Sequence, residues 1–240
     1  MPDHAPTTRA DWAHKRLKGA ILSGELAPGT KLLADELAQR WSVSPTPLRE
    51  AFQRLRGHGL VELTSQRGAR VAPFSLDEAA DLYELRLLLE PRALRESLQA
   101  SGDAHRSAVF TAHTRLEDAL AAKPADPVEI SEAHLGFHAA LVERCPSAWK
   151  RRMVALLAEH AQRYQFLGAQ QPRRDGDPRR EHEALRDATM RGQAARAETL
   201  LTRHLEGTLR AVRGMIAAPK STRKARHGTA STDQDHARRP

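Results

Sequence analysis

The stretch Ser44-Pro45-Thr46-Pro47-Leu48-Arg49-Glu50-Ala51-Phe52-Gln53-Arg54-Leu55-Arg56-Gly57-His58-Gly59 decides the architecture of the first third of the chain. Ser44 suits a helix N-cap, Pro45 the first helical position and Glu50 the early turns near the positive helix end. Gly59 supplies a stop at the far end. Leu48, Ala51, Phe52 and Leu55 recur at helical spacing, leaving Thr46, Arg49, Gln53, Arg54 and Arg56 outside or at the margin. A buried face backed by exposed arginines is the pattern of a helix that can lie against a polyanion.

Working outward, the pattern predicts a helix over Arg9–Ser23, a turn at Glu25–Thr30, and a short helix near Leu33–Trp41 broken by Ser42-Val43-Ser44. Beyond Gly59, the strand-like runs Leu60–Thr64 and Ala69–Pro73 flank Ser65-Gln66-Arg67-Gly68 and read as a hairpin with a basic tip. Helix, helix, turn, helix and hairpin is the order of a winged helix-turn-helix. Its second helix enters a major groove and its wing reaches a neighbouring groove or the backbone of double-stranded DNA.

The charge map agrees. The chain has 240 residues and a net charge of +8, with a pI near 10.2. Residues 1–74 carry 11 Lys and Arg against 7 acids, residues 75–218 carry 21 of each, and residues 219–240 carry 6 against 2. The excess therefore sits at the two ends, around a neutral middle. Residues 1–8 and the Ser-, Thr- and Arg-rich tail at 219–240 lack hydrophobic periodicity and read as disordered. The tail is either a solvated basic segment or a loose DNA contact. A single cysteine, Cys145, excludes a disulfide scaffold and fits a cytoplasmic location. The apolar runs are too short to span a bilayer, and the first residues lack the apolar core of a secretory signal.

Residues 75–218 read as an all-α bundle of six or so helices. Ser75-Leu76-Asp77-Glu78 is a capping box opening a helix to about Leu98, which Pro91 should kink or locally break. Further helices are predicted near Asp103–Ala121, Val128–Cys145, Ser147–Leu167, from Pro178, and from Ala194 to Ala217, with a loop at Gly168–Gly176 and Gly192 parting the last two. His134 and His138, at i and i+4, share one face of their helix. His182 and His204 lie 10 and 12 residues from Gly192 on the two arms of a helical hairpin. Their levels should differ by only about 3 Å along antiparallel axes. Four imidazoles from three helices suit Zn²⁺, Ni²⁺ or a similar divalent ion. The bland reading, packed or surface histidines, stands beside it, and it is the reading adopted for His105, His113 and His160. A metal-dependent hydrolase built on the four histidines is the alternative of a different class, although no carboxylate at helical spacing offers a general base.

The N-terminal residues carry a resemblance. Leu26-Ala27-Pro28-Gly29-Thr30-Lys31-Leu32, Leu37-Ala38, Val43-Ser44, Thr46-Pro47-Leu48-Arg49-Glu50-Ala51, Gly59-Leu60-Val61 and Arg67-Gly68-Ala69-Arg70-Val71 resemble the GntR family of bacterial transcription regulators. The match covers nearly all of residues 12–73. It implies a DNA-binding domain over 9–74 with Ser44, Thr46 and Arg49 in the recognition helix and Arg67 and Gly68 at the wing. Pro45 and Asp35 stand where family members often carry Arg, so the set of base contacts differs.

The middle segment, 75–218, resembles the FCD effector domain of the FadR-type members. Phe137-His138-Ala139-Ala140-Leu141, Glu181-His182-Glu183 and Arg203-His204-Leu205 match its metal-binding form. The resemblance implies metal ligands His138, His182 and His204, with His134 in place of the usual acid. Replacing that carboxylate by imidazole leaves the ion's charge less compensated, which favours an anionic effector. His134-x-x-Phe137-His138, Cys145, Ser147 and Arg163-Tyr164-x-Phe166 are similar to the CsiR (GlaR) branch of glutarate- or 2-hydroxyglutarate-responsive repressors. That likeness implies a small carboxylate effector, with Arg86 and then Arg163 as clamping residues. It also implies a homodimer on a palindromic operator. An FCD domain that binds its ligand without metal remains a further alternative.

Overall fold

The computed structural model describes residues 8–64, 68–169 and 177–217. The expected disorder at 1–8 and 219–240, nearly all of the Gly168–Gly176 loop and Arg67 at the wing tip thus lie wholly or largely outside the described residues.

The N-terminal part is α1 (Arg9–Leu22), β1 (Lys31–Leu32), α2 (Ala34–Trp41), α3 (Pro45–Gly57), β2 (Val61–Thr64) and β3 (Gly68–Val71). Thr8 and Asp11 cap α1 reciprocally, satisfying the free N–H groups of its first turn. Ser42, at φ 54°, closes α2 in the left-handed region and turns the chain into α3. Pro45 sits in the first turn of α3 as the sequence predicts, but the Ser44 side chain makes no capping bond. Pro47, Leu48, Ala51, Phe52 and Leu55 are the buried face of α3. They pack on Ala13, Leu17 and Ala20 of α1 and on Leu60 and Val71 in one apolar cluster.

The sheet has the order β1-β3-β2, both pairings antiparallel, with Lys31 opposite Arg70 and Val61 opposite Val71. The two-residue β1 has no signature of its own. Gly29 (φ 80°) donates to the Val71 carbonyl and Val71 to the Thr30 carbonyl, so β1 exists because the turn before it is tied to the wing.

The helical part comprises α4 (Leu76–Gln99), α5 (Asp103–Ala121), α6 (Pro127–Val142), α7 (Ala148–Ala169), α8 (Pro178–Met190) and α9 (Ala194–Ala217). The Ser75 hydroxyl accepts from Glu78 N, fixing the start of α4. Pro91 does not break α4, which continues to Gln99: its buried ring packs in the bundle, and that burial outweighs one missing backbone donor. Tyr83, Leu94, Leu116, Phe137, Leu141, Tyr164, Leu185, Leu201 and Leu205 fill the core. Gly192, at φ 65°, reverses the chain between α8 and α9. No described helix is long and apolar enough to cross a membrane.

Candidate functional site

The outer face of α3 carries Thr46, Arg49, Glu50, Gln53, Arg54 and Arg56, all exposed, and Ser44 is exposed at its start. Arg49 reaches Asp35 of α2 only at 3.5 Å, with both side chains mostly in solvent. Such a pair is worth little and yields readily to a phosphate or a guanine edge. Arg54, by contrast, is engaged with Asp11 at 2.8 Å. Gly68 opens β3 opposite Thr64.

The four histidines converge. His134 and His138 come from α6, His182 from α8 and His204 from α9. One ligand atom of each lies within 4.8 Å of all the others. The His182 and His204 rings are 4.7 Å apart, so the α8–α9 hairpin brings them to one level as the count from Gly192 predicts. The His134 and His138 rings are 4.6 Å apart. His138, His182 and His204 are buried, and His134 is partly open.

Burial, reinforced by His134, His204, His182 and the Arg86 charge, pushes the His138 pKa well below its ordinary value. The ring is therefore neutral, the form that binds metal. Its Nε2 is buried with no hydrogen-bond partner among the described residues, a cost that an ion would remove. Glu181, unexpected from the sequence, sets its carboxylate 2.7 Å from His204 Nδ1. Such a contact fixes the tautomer that presents Nε2 and places a negative charge directly behind the cluster. The residues present therefore fit a divalent ion.

Arg86 on α4 is 1 % exposed. Its Nε donates to Glu90 Oε1 at 2.5 Å and its Nη2 to Glu90 Oε2 at 3.2 Å. Burial opposes the charge, but Glu90 and the neighbouring Tyr83 outweigh it and raise the Arg86 pKa. The guanidinium is thus permanently charged, and Nη1 is a buried donor without a hydrogen-bond partner among the described residues. Glu90 was missed by sequence reading, although its i+4 spacing from Arg86 is a readable signal.

Arg163, the second clamping residue that the resemblance implies, meets other partners. Its guanidinium does not join the histidines but contacts the Gly59 carbonyl, Glu78 and Tyr164. These partners are 104 and 85 residues away, except for the adjacent tyrosine, so spacing carries no trace of them. His105 Nε2 lies 2.9 Å from the Ala140 carbonyl, and buried His113 packs edge-on against Phe137 and lies near Arg186, as ordinary structural histidines do.

A family model described as "Bacterial regulatory proteins, gntR family" matches residues 10–71, and the FCD domain model matches residues 81–207. The chain belongs to the GntR family, with an FCD effector domain. This GntR regulator is 37% identical over 204 residues to the HTH-type transcriptional regulator BphR of Paraburkholderia xenovorans, covering 83% of each chain. It is 30% identical over 199 residues to the HTH-type transcriptional repressor GlaR of Escherichia coli, covering 80% of this chain and 90% of that one. A GntR regulator from Rhodococcus sp. RHA1 superposes with a TM-score of 0.67 at 25% identity, covering 86% of this chain and 98% of that one. These relatives are DNA-binding regulators, and so is this chain; it is not an enzyme, and the hydrolase alternative is set aside.

Proposed function

We propose that the protein is a homodimeric, metabolite-responsive repressor that leaves a palindromic operator when a small carboxylate binds in its helical domain. Ser44, Thr46 and Arg49 read the major groove, and Arg67 and Gly68 bring the wing to the DNA backbone. His134, His138, His182 and His204 hold a divalent ion, Zn²⁺ with Ni²⁺ as the alternative. Bound there, the ion supplies Lewis-acid attraction for a carboxylate. Arg86, through its buried Nη1, which has no hydrogen-bond partner among the described residues, clamps the effector's other end. A short dicarboxylate such as glutarate or 2-hydroxyglutarate has the charge and length for this division. The likeness to the repressor GlaR supports the sign of regulation.

The observation that carries this reading is the convergence of four imidazoles on one point, beside a buried arginine whose charge His138 feels. With four neutral ligands, the ligand set itself leaves the ion's charge uncompensated, and Glu181 behind His204 offsets it in part, so an anion remains favoured. Effector binding would shift the population toward an arrangement of winged domains that does not match the operator.

The dimer has physical support too. Leu85 and Leu88 on α4 and Trp149, Met153 and Leu156 on α7 are exposed. Asp81 and Glu84 stand on one side of Leu88, Arg92 and Arg95 on the other. A two-fold axis at Leu88 would set acids against arginines between copies.

The test is a thermal-shift titration of chelator-treated protein with Zn²⁺ or Ni²⁺ and then with small carboxylates. Melting should rise with metal, rise again with a dicarboxylate, and lose both increments in His138→Ala. Full dicarboxylate stabilisation in the absence of metal would overturn the metal-bridged reading.

A further inference from the structure

Arg163 belongs to α7, yet its guanidinium ties together three parts of the chain. Nη1 donates to the Gly59 carbonyl at 2.9 Å. Nη2 donates to Glu78 Oε1 and to the Tyr164 hydroxyl, the latter at 3.1 Å, and that hydroxyl donates to Glu78 Oε2 at 3.1 Å. Gly59 closes the recognition helix, and Glu78 lies in the first turn of α4, the first helix of the effector domain. Arg163 itself is 7% exposed.

Gly59 is fitted to this contact. Its φ of 67° lies in the region that favours glycine, and a Cβ there would stand 2.5 Å from His160 Nδ1. Glycine is thus what lets the end of α3 press against α7 closely enough for Arg163 to reach its carbonyl. His58 adds a looser contact with Glu159 at 3.9 Å.

We propose that Arg163 is a positioning residue for DNA recognition: by joining the Gly59 carbonyl at the end of α3 to Glu78 at the start of α4, it fixes the orientation of the recognition helix on the effector domain. Contacts between domains of one chain permit relative motion unless something specific holds them. A buried guanidinium is specific. If the winged domain swung away, Arg163 would lose its Gly59 acceptor and the packing around it, keeping only Glu78 and Tyr164, and the carbonyl of the turn would lose its donor. The exposed Lys15–Asp126 pair between α1 and α6, at 3.4 Å, imposes no comparable penalty. In a dimer, an effector-domain side chain then helps to set the separation of two recognition helices, alongside buried Lys18, which lies 3.6 Å from Glu132.

A hydrogen bond also links the helix of the pin to the helix that carries His134 and His138. The Ser131 hydroxyl on α6 donates to Gln162 Oε1 at 2.7 Å, and Ser131 lies one helical turn before His134. A displacement of α6 therefore reaches the residue next to Arg163 through one hydrogen bond. The inference rests on the DNA-binding reading and stands whether or not the histidines hold an ion.

The experiment measures spin-label distances in the full chain, with Cys145→Ser and labels at the exposed positions Gln53→Cys on α3 and Asp118→Cys on α5. In dimers diluted with excess unlabelled chain, so that one labelled chain is present per dimer, the parent should give one narrow distance population. Arg163→Gln and Glu78→Ala should each at least double its width or add a second population, with helix content unchanged by circular dichroism. Arg163→Lys, which retains the charge, should restore part of the narrow population. An unaltered narrow distribution in both Arg163→Gln and Glu78→Ala would overturn the proposal. Should Arg163→Gln fail to fold, an unaltered distribution in Glu78→Ala and Arg163→Lys would do the same.

Discussion

Arg86 and Glu90, one turn apart on α4, form a two-pronged ion pair with side-chain exposures of 1% and 2%. Removing one member of such a pair strands the other charge in the core. Arg86→Met should therefore cost about 3–5 kcal/mol in denaturant unfolding. The double variant Arg86→Met/Glu90→Met should recover most of that stability, because no charge is left buried. The double variant should still lose dicarboxylate stabilisation, since the Nη1 donor is gone. Retention of ligand binding by the double variant would remove Arg86 from the pocket.

Arg49→Ala should weaken operator binding by about 10- to 100-fold at fixed salt while leaving melting nearly unchanged, because its contact with Asp35 is long and solvated. Fluorescence anisotropy on a selected duplex measures the first quantity and calorimetry the second. Equal operator affinity in wild type and variant would mean that another residue of α3 reads the groove.

Acid should destabilise the fold through His14. Half-buried on α1, with Arg54, His58 and Lys18 adding repulsion to desolvation, it has a pKa lowered from 6.5 to about 4. The unfolded chain takes up a proton near 6.5 while the folded chain refuses it until about 4. The stability contribution is thus complete above pH 6.5 and lost as pH falls towards 4. His113 and His138 shift in the same direction, so His14→Gln should flatten the melting profile between pH 6.5 and 4 without levelling it. A profile parallel to wild type would place the acid sensitivity elsewhere.

The exposed leucines of α4 predict an obligate role in self-association. Leu88→Glu should convert a dimer into a monomer at micromolar concentration, read by light scattering after size exclusion. Glu84→Arg alone should weaken the dimer through like charges, and Glu84→Arg/Arg92→Glu should restore it. A Leu88→Glu dimer of undiminished stability would move the interface to another face.

Much of the candidate site was legible because helical periodicity is local. The i,i+4 step from His134 to His138 and the near-equal distances of His182 and His204 from Gly192 are consequences of a 1.5 Å rise, and they hold in the folded chain. The same arithmetic could have found Glu90 from Arg86. Glu181, 11 residues from Gly192 where His204 is 12, was open to the same count, but the two-residue β1 was not, because its hydrogen bonds come from the wing.

By itself, the sequence determined the order of the helices and the wing hairpin, the exposed arginine face of α3 and the four histidines, since each depends on spacing within one helix or hairpin. Tertiary structure decided which partners the two buried arginines meet. Arg86 and Arg163 are the same residue type on amphipathic helices, and nothing in their neighbourhoods distinguishes a pocket from a domain junction. Only packing brings Arg86 beside the histidines and carries the Gly59 turn to Arg163. A buried guanidinium takes its role from whichever acceptors the fold places around it, and those of Arg163 lie 85 and 104 residues away.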